Sequence, residues 1–186
     1  MSSNEHPIKE ALANSEIVVD RDTIHDGISR IAREIASDYG DDVPVMMTVL
    51  HGGLPFAAFL SMAIGDEGLD VKFDYAHATR YQGDTRGHEL VWKAKPTSKL
   101  EGRRVLLTDD ILDEGLTLAA IRDWCLEQGA KDVRIAALSV KQHDRAIPGL
   151  TADYVAVEVP DRYVFGFGMD YYEQGRNLPD IWALKL

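Results

Sequence analysis

One stretch limits what this chain can fold into: Arg103-Arg104-Val105-Leu106-Leu107-Thr108-Asp109-Asp110-Ile111-Leu112-Asp113-Glu114-Gly115-Leu116-Thr117. It begins with a short apolar run, residues 105–107, bounded by charge, which is the pattern of a strand buried on both faces. Two adjacent carboxylates stand where that strand should end, a third (Asp113) follows in the turn, and Gly115 and Thr117 come next. Leu118, Ala120, Ile121, Trp124 and Cys125 then recur at helical spacing. Strand, acidic turn and helix make the unit of an α/β sheet. The turn lies at a strand's carboxyl end and a helix's amino end, where such sheets bind ligands.

The rest of the chain repeats the unit. A short helix is expected around residues 8–12, and residues 1–20 otherwise read as polar, then mixed. Asp22 can cap a helix with the stripe Ile24, Ile28, Ile31 and Ile35, stopped by Gly40. Residues 44–50 read as a strand, His51-Gly52-Gly53 as a turn and residues 54–64 as an apolar helix. Residues 71–78 alternate apolar (Val71, Phe73, Tyr75) with polar (Lys72, Asp74) and read as a strand. Residues 79–89 show no apolar periodicity and suit a mobile loop. Strands are expected at 90–92, 133–140 and 154–159, with the central helix stopping at Gly129. Alternating strands and helices predict an α/β fold, a mostly parallel twisted sheet flanked by helices. Its 186 residues suit one domain with a core of about 20–158. The aromatic, irregular tail from 159 to 186, with N-terminal residues, is expected to form a small hood over the site.

The acidic turn narrows the chemistry. Its glycine and the free N–H groups of a helix start favour a phosphate. The carboxylates would repel that phosphate, and suit instead hydroxyls, a metal ion or a proton transfer. Phosphate, diol and cation together describe a sugar phosphate activated by a metal-bound leaving group. No P-loop occurs, and Gly166-Phe167-Gly168 lacks the third glycine of a dinucleotide fingerprint.

The stretch from 105 to 117 resembles the phosphoribosyl diphosphate signature of the type I phosphoribosyltransferases, with Glu114 where that family usually has a hydroxyl. The resemblance covers roughly residues 45–182. It implies that Asp109 and Asp110 hold the ribose hydroxyls, with Ile111 beside the base, and that Asp113, Glu114, Gly115, Leu116 and Thr117 cradle the 5′-phosphate. His51, Gly52 and Gly53 resemble the family's diphosphate loop, with His51 in place of the common lysine. Arg80 and Tyr81 resemble the start of its lid; Tyr81 fits and Arg80 does not. The tail, Pro160-Asp161-Arg162-Tyr163-Val164 followed by Asp170, Glu173 and Arg176, resembles the hypoxanthine–guanine branch. That branch implies Tyr163 stacked on a purine and Val164 reading its edge. It implies Lys141 on an exocyclic oxygen, Asp170 with Asp109 and Asp110 near Mg²⁺, and Arg176 on diphosphate. The expected activity is Mg²⁺-dependent salvage of hypoxanthine or guanine with phosphoribosyl diphosphate, Asp113 acting as general acid–base toward N7. A xanthine or pyrimidine phosphoribosyltransferase, and a non-enzymatic regulator binding phosphoribosyl diphosphate, stand as alternatives.

The formal net charge of −11 argues against a nucleic-acid-coating role. The lone Cys125, set among apolar neighbours, fits a reducing compartment and a filler role. No signal peptide or membrane span is visible, so a cytoplasmic enzyme is expected, with the homodimer or homotetramer common in the family. The histidines at 6, 25, 51, 77, 88 and 143 show no zinc spacing.

Overall fold

The computed structural model describes residues 7–80 and 90–185. The elements in chain order are α1 (Pro7–Ala13), β1 (Ser15–Val19), α2 (Arg21–Tyr39), β2 (Val45–Val49), α3 (Gly53–Asp66), β3 (Lys72–Arg80), β4 (Leu90–Ala94), β5 (Arg104–Leu112), α4 (Leu116–Glu127), β6 (Asp132–Lys141), β7 (Tyr154–Val159), β8 (Val164–Phe165) and β9 (Ile181–Leu184). Six strands form one sheet in the order β4-β3-β2-β5-β6-β7, parallel except for the antiparallel edge strand β4. The expected α/β fold is therefore present. The tail supplies β8 and β9, which join β1 in a three-stranded antiparallel sheet.

Each central strand sends alternate side chains to opposite faces. Met46, Leu106, Ala136 and Leu138 pack with α2 and α3, whereas Val45, Met47, Val105, Leu107, Ile135 and Ala137 pack with α4. The α2 stripe of Ile24, Ile28, Ile31 and Ile35 is almost completely buried. Burial of one such side chain stabilises by about 1.5–3 kcal/mol. The amino edge of the sheet is closed by ion pairs, Arg134 with Asp38 and Arg104 with Asp42 and Asp132. Burial, with Asp74 nearby, pushes the Cys125 thiol up to about 12, consistent with filler. No helix among the described residues is long and apolar enough to cross a membrane.

Four local expectations change. Asp20, not Asp22, caps α2: its carboxylate accepts the Thr23 N–H at 2.8 Å, and Asp22 lies inside the first turn. The segment before it is not merely polar, because β1 pairs with β9 across the chain's two ends. A local reading cannot see that partner. The β3 alternation does mark a strand, but Asp74 is buried while Phe73 and Tyr75 are 63% and 49% exposed. Asp74 faces inward because its carboxylate accepts the Thr97 and Ser98 N–H groups at 3.0 and 2.6 Å. Finally, β5 does not end at the acidic pair: pairing with β6 continues to Leu112 opposite Val140.

Candidate active site

Because β5 runs on, Asp109 and Asp110 are strand residues at the carboxyl edge of the sheet. Asp109 lies opposite Ala137 and Ile111 opposite Ser139, whose hydroxyl donates to the Asp110 carbonyl at 3.0 Å. The Asp110 N–H donates back to the Asp109 carboxylate at 2.9 Å. Burial, then the neighbouring Asp110 charge, raises Asp109 well above the usual carboxylate range. Burial raises Asp110 too, although Asp109 and Arg176 oppose that rise. Two adjoining carboxylates in a low-dielectric site repel, and a cation between them relieves the repulsion.

The chain then turns into α4. Gly115 takes φ 80°, a left-handed conformation, and a side chain there would run into Leu150 and Leu112. The first N–H groups of α4 have no partner within the helix. Asp113, Glu114, Gly115, Leu116 and Thr117 wall a cavity of about 590 Å³ that Asp109, Asp110 and Arg145 also line. Glu114 is exposed, and Arg145 stands near enough to feel its charge, so the departure at 114 comes with a nearby cation.

A second cavity, about 390 Å³, shares Asp109, Asp110, Ile111 and Asp113 with the first. His51, Gly52, Lys141, Tyr163, Val164, Asp170 and Arg176 line the rest. Gly52 is buried against β5, where a Cβ would strike the Asp110 carboxylate, and a Cβ on Gly168 would strike the Gly52 carbonyl. Gly53 begins α3. Arg176 donates to the Gly168 carbonyl at 2.7 Å and pairs with Asp170 at 2.7 Å. Tyr163 is half exposed, and its hydroxyl donates to the Asp170 carbonyl at 3.2 Å. Arg80 ends β3, while Tyr81 and the expected lid lie outside the described residues.

Asp113 is held more closely than its sequence position suggests. Lys141 donates to one carboxylate oxygen at 2.6 Å, and His143 stands 2.5 Å from the other. Burial pushes the Asp113 carboxyl up, but the hydrogen bonds from Lys141 and His143, with the Lys141 charge, outweigh it and hold it below the usual range. Sequence reasoning missed His143, and missed Arg145, whose guanidinium pairs with Asp161 at 2.6 and 2.7 Å. The signal was position: both follow Lys141 within four residues, on the loop leaving the ligand edge of the sheet.

The sequence profile of the phosphoribosyl transferase domain matches residues 17–174. The hypoxanthine-guanine phosphoribosyltransferase of Bacillus subtilis strain 168 is 35% identical over 174 residues, spanning 91% of this chain and 93% of that protein. Its counterpart from Streptococcus pneumoniae strain R6 is 33% identical over 171 residues, with the same coverage of 91% and 93%. A variant of the Trypanosoma cruzi hypoxanthine phosphoribosyltransferase, solved with its product IMP, superposes with a TM-score of 0.85 at 28% identity, covering 92% of this chain and 91% of that one. The chain therefore belongs to the phosphoribosyltransferase family. Within it, the relatives place the chain in the hypoxanthine–guanine branch.

Proposed function

We propose that this enzyme transfers the phosphoribosyl group of phosphoribosyl diphosphate to hypoxanthine or guanine, forming IMP or GMP and releasing diphosphate. One observation carries the reading. Strand β5 and the turn after it deliver Asp109, Asp110 and Asp113 to the junction of two cavities, one walled by the amino end of α4 and the other by Lys141, Tyr163 and Arg176. A sugar phosphate suits the first cavity and a flat oxo-base with a diphosphate suits the second.

The roles follow from side-chain chemistry. Residues 113–117 cradle the 5′-phosphate with backbone N–H groups. Asp109 and Asp110 accept the ribose hydroxyls. Tyr163 offers a stacking face, Val164 and Ile111 flank the base, and Lys141 donates to its exocyclic oxygen. Arg176 and the 51–53 loop hold the diphosphate. As N9 bonds to C1′, the C1′–oxygen bond to diphosphate breaks and N7 gives up its proton to Asp113. The transition state is oxocarbenium-like, so position and charge screening supply most of the rate.

The donor set fits a divalent cation. Asp109 and Asp110 are crowded carboxylates whose repulsion a cation would relieve. Mg²⁺ commonly takes one or two carboxylates and completes its shell with substrate oxygens and water. Asp109 and Asp110, or Asp170 on the tail, would hold it in that manner, and it would offset charge on the leaving diphosphate.

We read the chain as one domain, with the β1-β9-β8 sheet as its hood. We place it in the cytoplasm as a homodimer or homotetramer. Self-association is supported by the exposed apolar side chains Leu54 and Met62 on α3 and Phe73 and Tyr75 on β3, which burial against a second copy would cover. The deciding experiment measures diphosphate release from phosphoribosyl diphosphate with hypoxanthine, guanine, xanthine and adenine. Release with hypoxanthine or guanine is expected; no release with any 6-oxopurine would overturn the reading.

A further inference from the structure

We infer that His143 is a positioning residue that sets the proton affinity of Asp113, and that the incoming base arms this carboxylate by drawing Lys141 away from it. The inference rests on the reading of Asp113 as the general acid–base.

The geometry starts with the loop leaving β6. The His143 imidazole is only 3% exposed. Its Nδ1 lies 3.0 Å from the Arg145 backbone nitrogen, which is a donor, so Nδ1 accepts. The ring proton therefore resides on Nε2, because a neutral imidazole carries one donor and one acceptor. That Nε2 stands 2.5 Å from Asp113 Oδ1 and donates to it. Lys141 Nζ donates to Oδ2 at 2.6 Å. Each carboxylate oxygen thus holds one donor, and a carboxylate so occupied is stabilised as the anion and is a poor base.

The two donors differ in what a substrate can do to them. His143 is locked at both ring nitrogens. Lys141 is an ammonium on a flexible stem, and an exocyclic purine oxygen in the same cavity can draw it away. Its departure takes a positive charge from a half-buried carboxylate and vacates Oδ2. The purine N7 proton then passes to Oδ2 while Oδ1 stays anchored on His143. The N9–C1′ bond forms, the C1′–oxygen bond to diphosphate breaks, and the proton ends on Asp113. A purine without an oxygen there leaves Lys141 in place and the base unarmed. The other charged groups lining the same two cavities among the described residues are Asp109, Asp110 and Glu114 from β5 and its turn, Asp170 and Arg176 from the tail, and Arg145, which is committed to Asp161.

The test compares wild type, His143→Ala and His143→Gln, because the glutamine amide retains a donor. Asp113 is titrated directly in the unliganded enzyme through its carboxyl ¹³C resonance, and the pH profile of kcat is recorded with saturating hypoxanthine. Removing one donor should raise the Asp113 midpoint and the acid limb of kcat by about one pH unit, with glutamine restoring most of the difference. Superimposable titrations for wild type and His143→Ala, or an equal shift in both variants, would overturn the inference. The ¹³C titration needs no turnover. A shifted midpoint in an enzyme inert toward every 6-oxopurine would thus sink the proposed function, and with it the arming step, while His143 would still be seen to set the Asp113 midpoint.

Discussion

The imidazoles of His51 and His77 stand edge to face with their centroids 4.4 Å apart, one on the 51–53 loop and one on the neighbouring strand. Burial, then the charges of His51 and Lys93, lowers the proton affinity of His77, against an opposing pull from Glu173. His51→Lys would place a permanent ammonium on the 51–53 loop, so the variant should bind diphosphate more tightly than wild type, and the gain should shrink as salt is added. Calorimetric titration with diphosphate at low and high ionic strength checks this; equal affinity in both proteins would contradict the expectation.

Asp113→Asn removes the proton acceptor and keeps the shape of the turn. Turnover should fall by about 10²–10⁴-fold while the Kd for phosphoribosyl diphosphate changes little. Parallel loss of binding and rate would make Asp113 a structural cap. Stability gives a second readout. The folded carboxyl lies below its unfolded value, so its contribution is present above about pH 3.9 and is lost as pH falls through the folded value. The Tm gap between wild type and the variant should narrow below about pH 4.

Lys141→Ala should raise KM for hypoxanthine and guanine and leave adenine no worse. The ion pair with Asp113 adds a second expectation: the carboxylate loses its cationic partner, so the acid limb of the kcat/KM profile should move to higher pH. An unchanged KM for 6-oxopurines would show that this ammonium serves Asp113 alone.

Chelation should abolish turnover, and Mg²⁺ should restore it, because crowded Asp109 and Asp110 need a counter-charge when diphosphate arrives. Full activity in excess chelator would remove the metal from the mechanism.

Gly52→Ala should raise KM for phosphoribosyl diphosphate at least tenfold with a near-native Tm, since the added methyl displaces the Asp110 side chain rather than a core residue. A Tm loss without a KM change would place the role of this glycine in folding alone.

How much of this was legible in the chain depended on the range of the interaction. The strand–turn–helix units could be read because β2, β5 and β6 are buried on both faces and their helices carry a regular stripe. The acidic turn could be read because Asp109, Asp110, Asp113, Gly115 and Thr117 are close in sequence. What could not be read depends on distant partners. β1 becomes a strand only beside β9, Asp74 turns inward only because the 97–98 turn needs an acceptor, and His143 matters only because β6 ends beside β5. Arg145 was hidden for the same reason: its partner Asp161 lies beyond β7.

The contact of Gly168 with the Gly52 carbonyl, and of Gly52 with the Asp110 carboxylate, joins three segments that enter the fold about one-third of the chain apart. None of them can shape the 51–53 loop until the other two have arrived. With the proposed diphosphate role of that loop, ligand affinity in this chain is a gauge of completed folding. A truncated or partly refolded molecule would keep its sheet and its circular dichroism while reading zero for diphosphate.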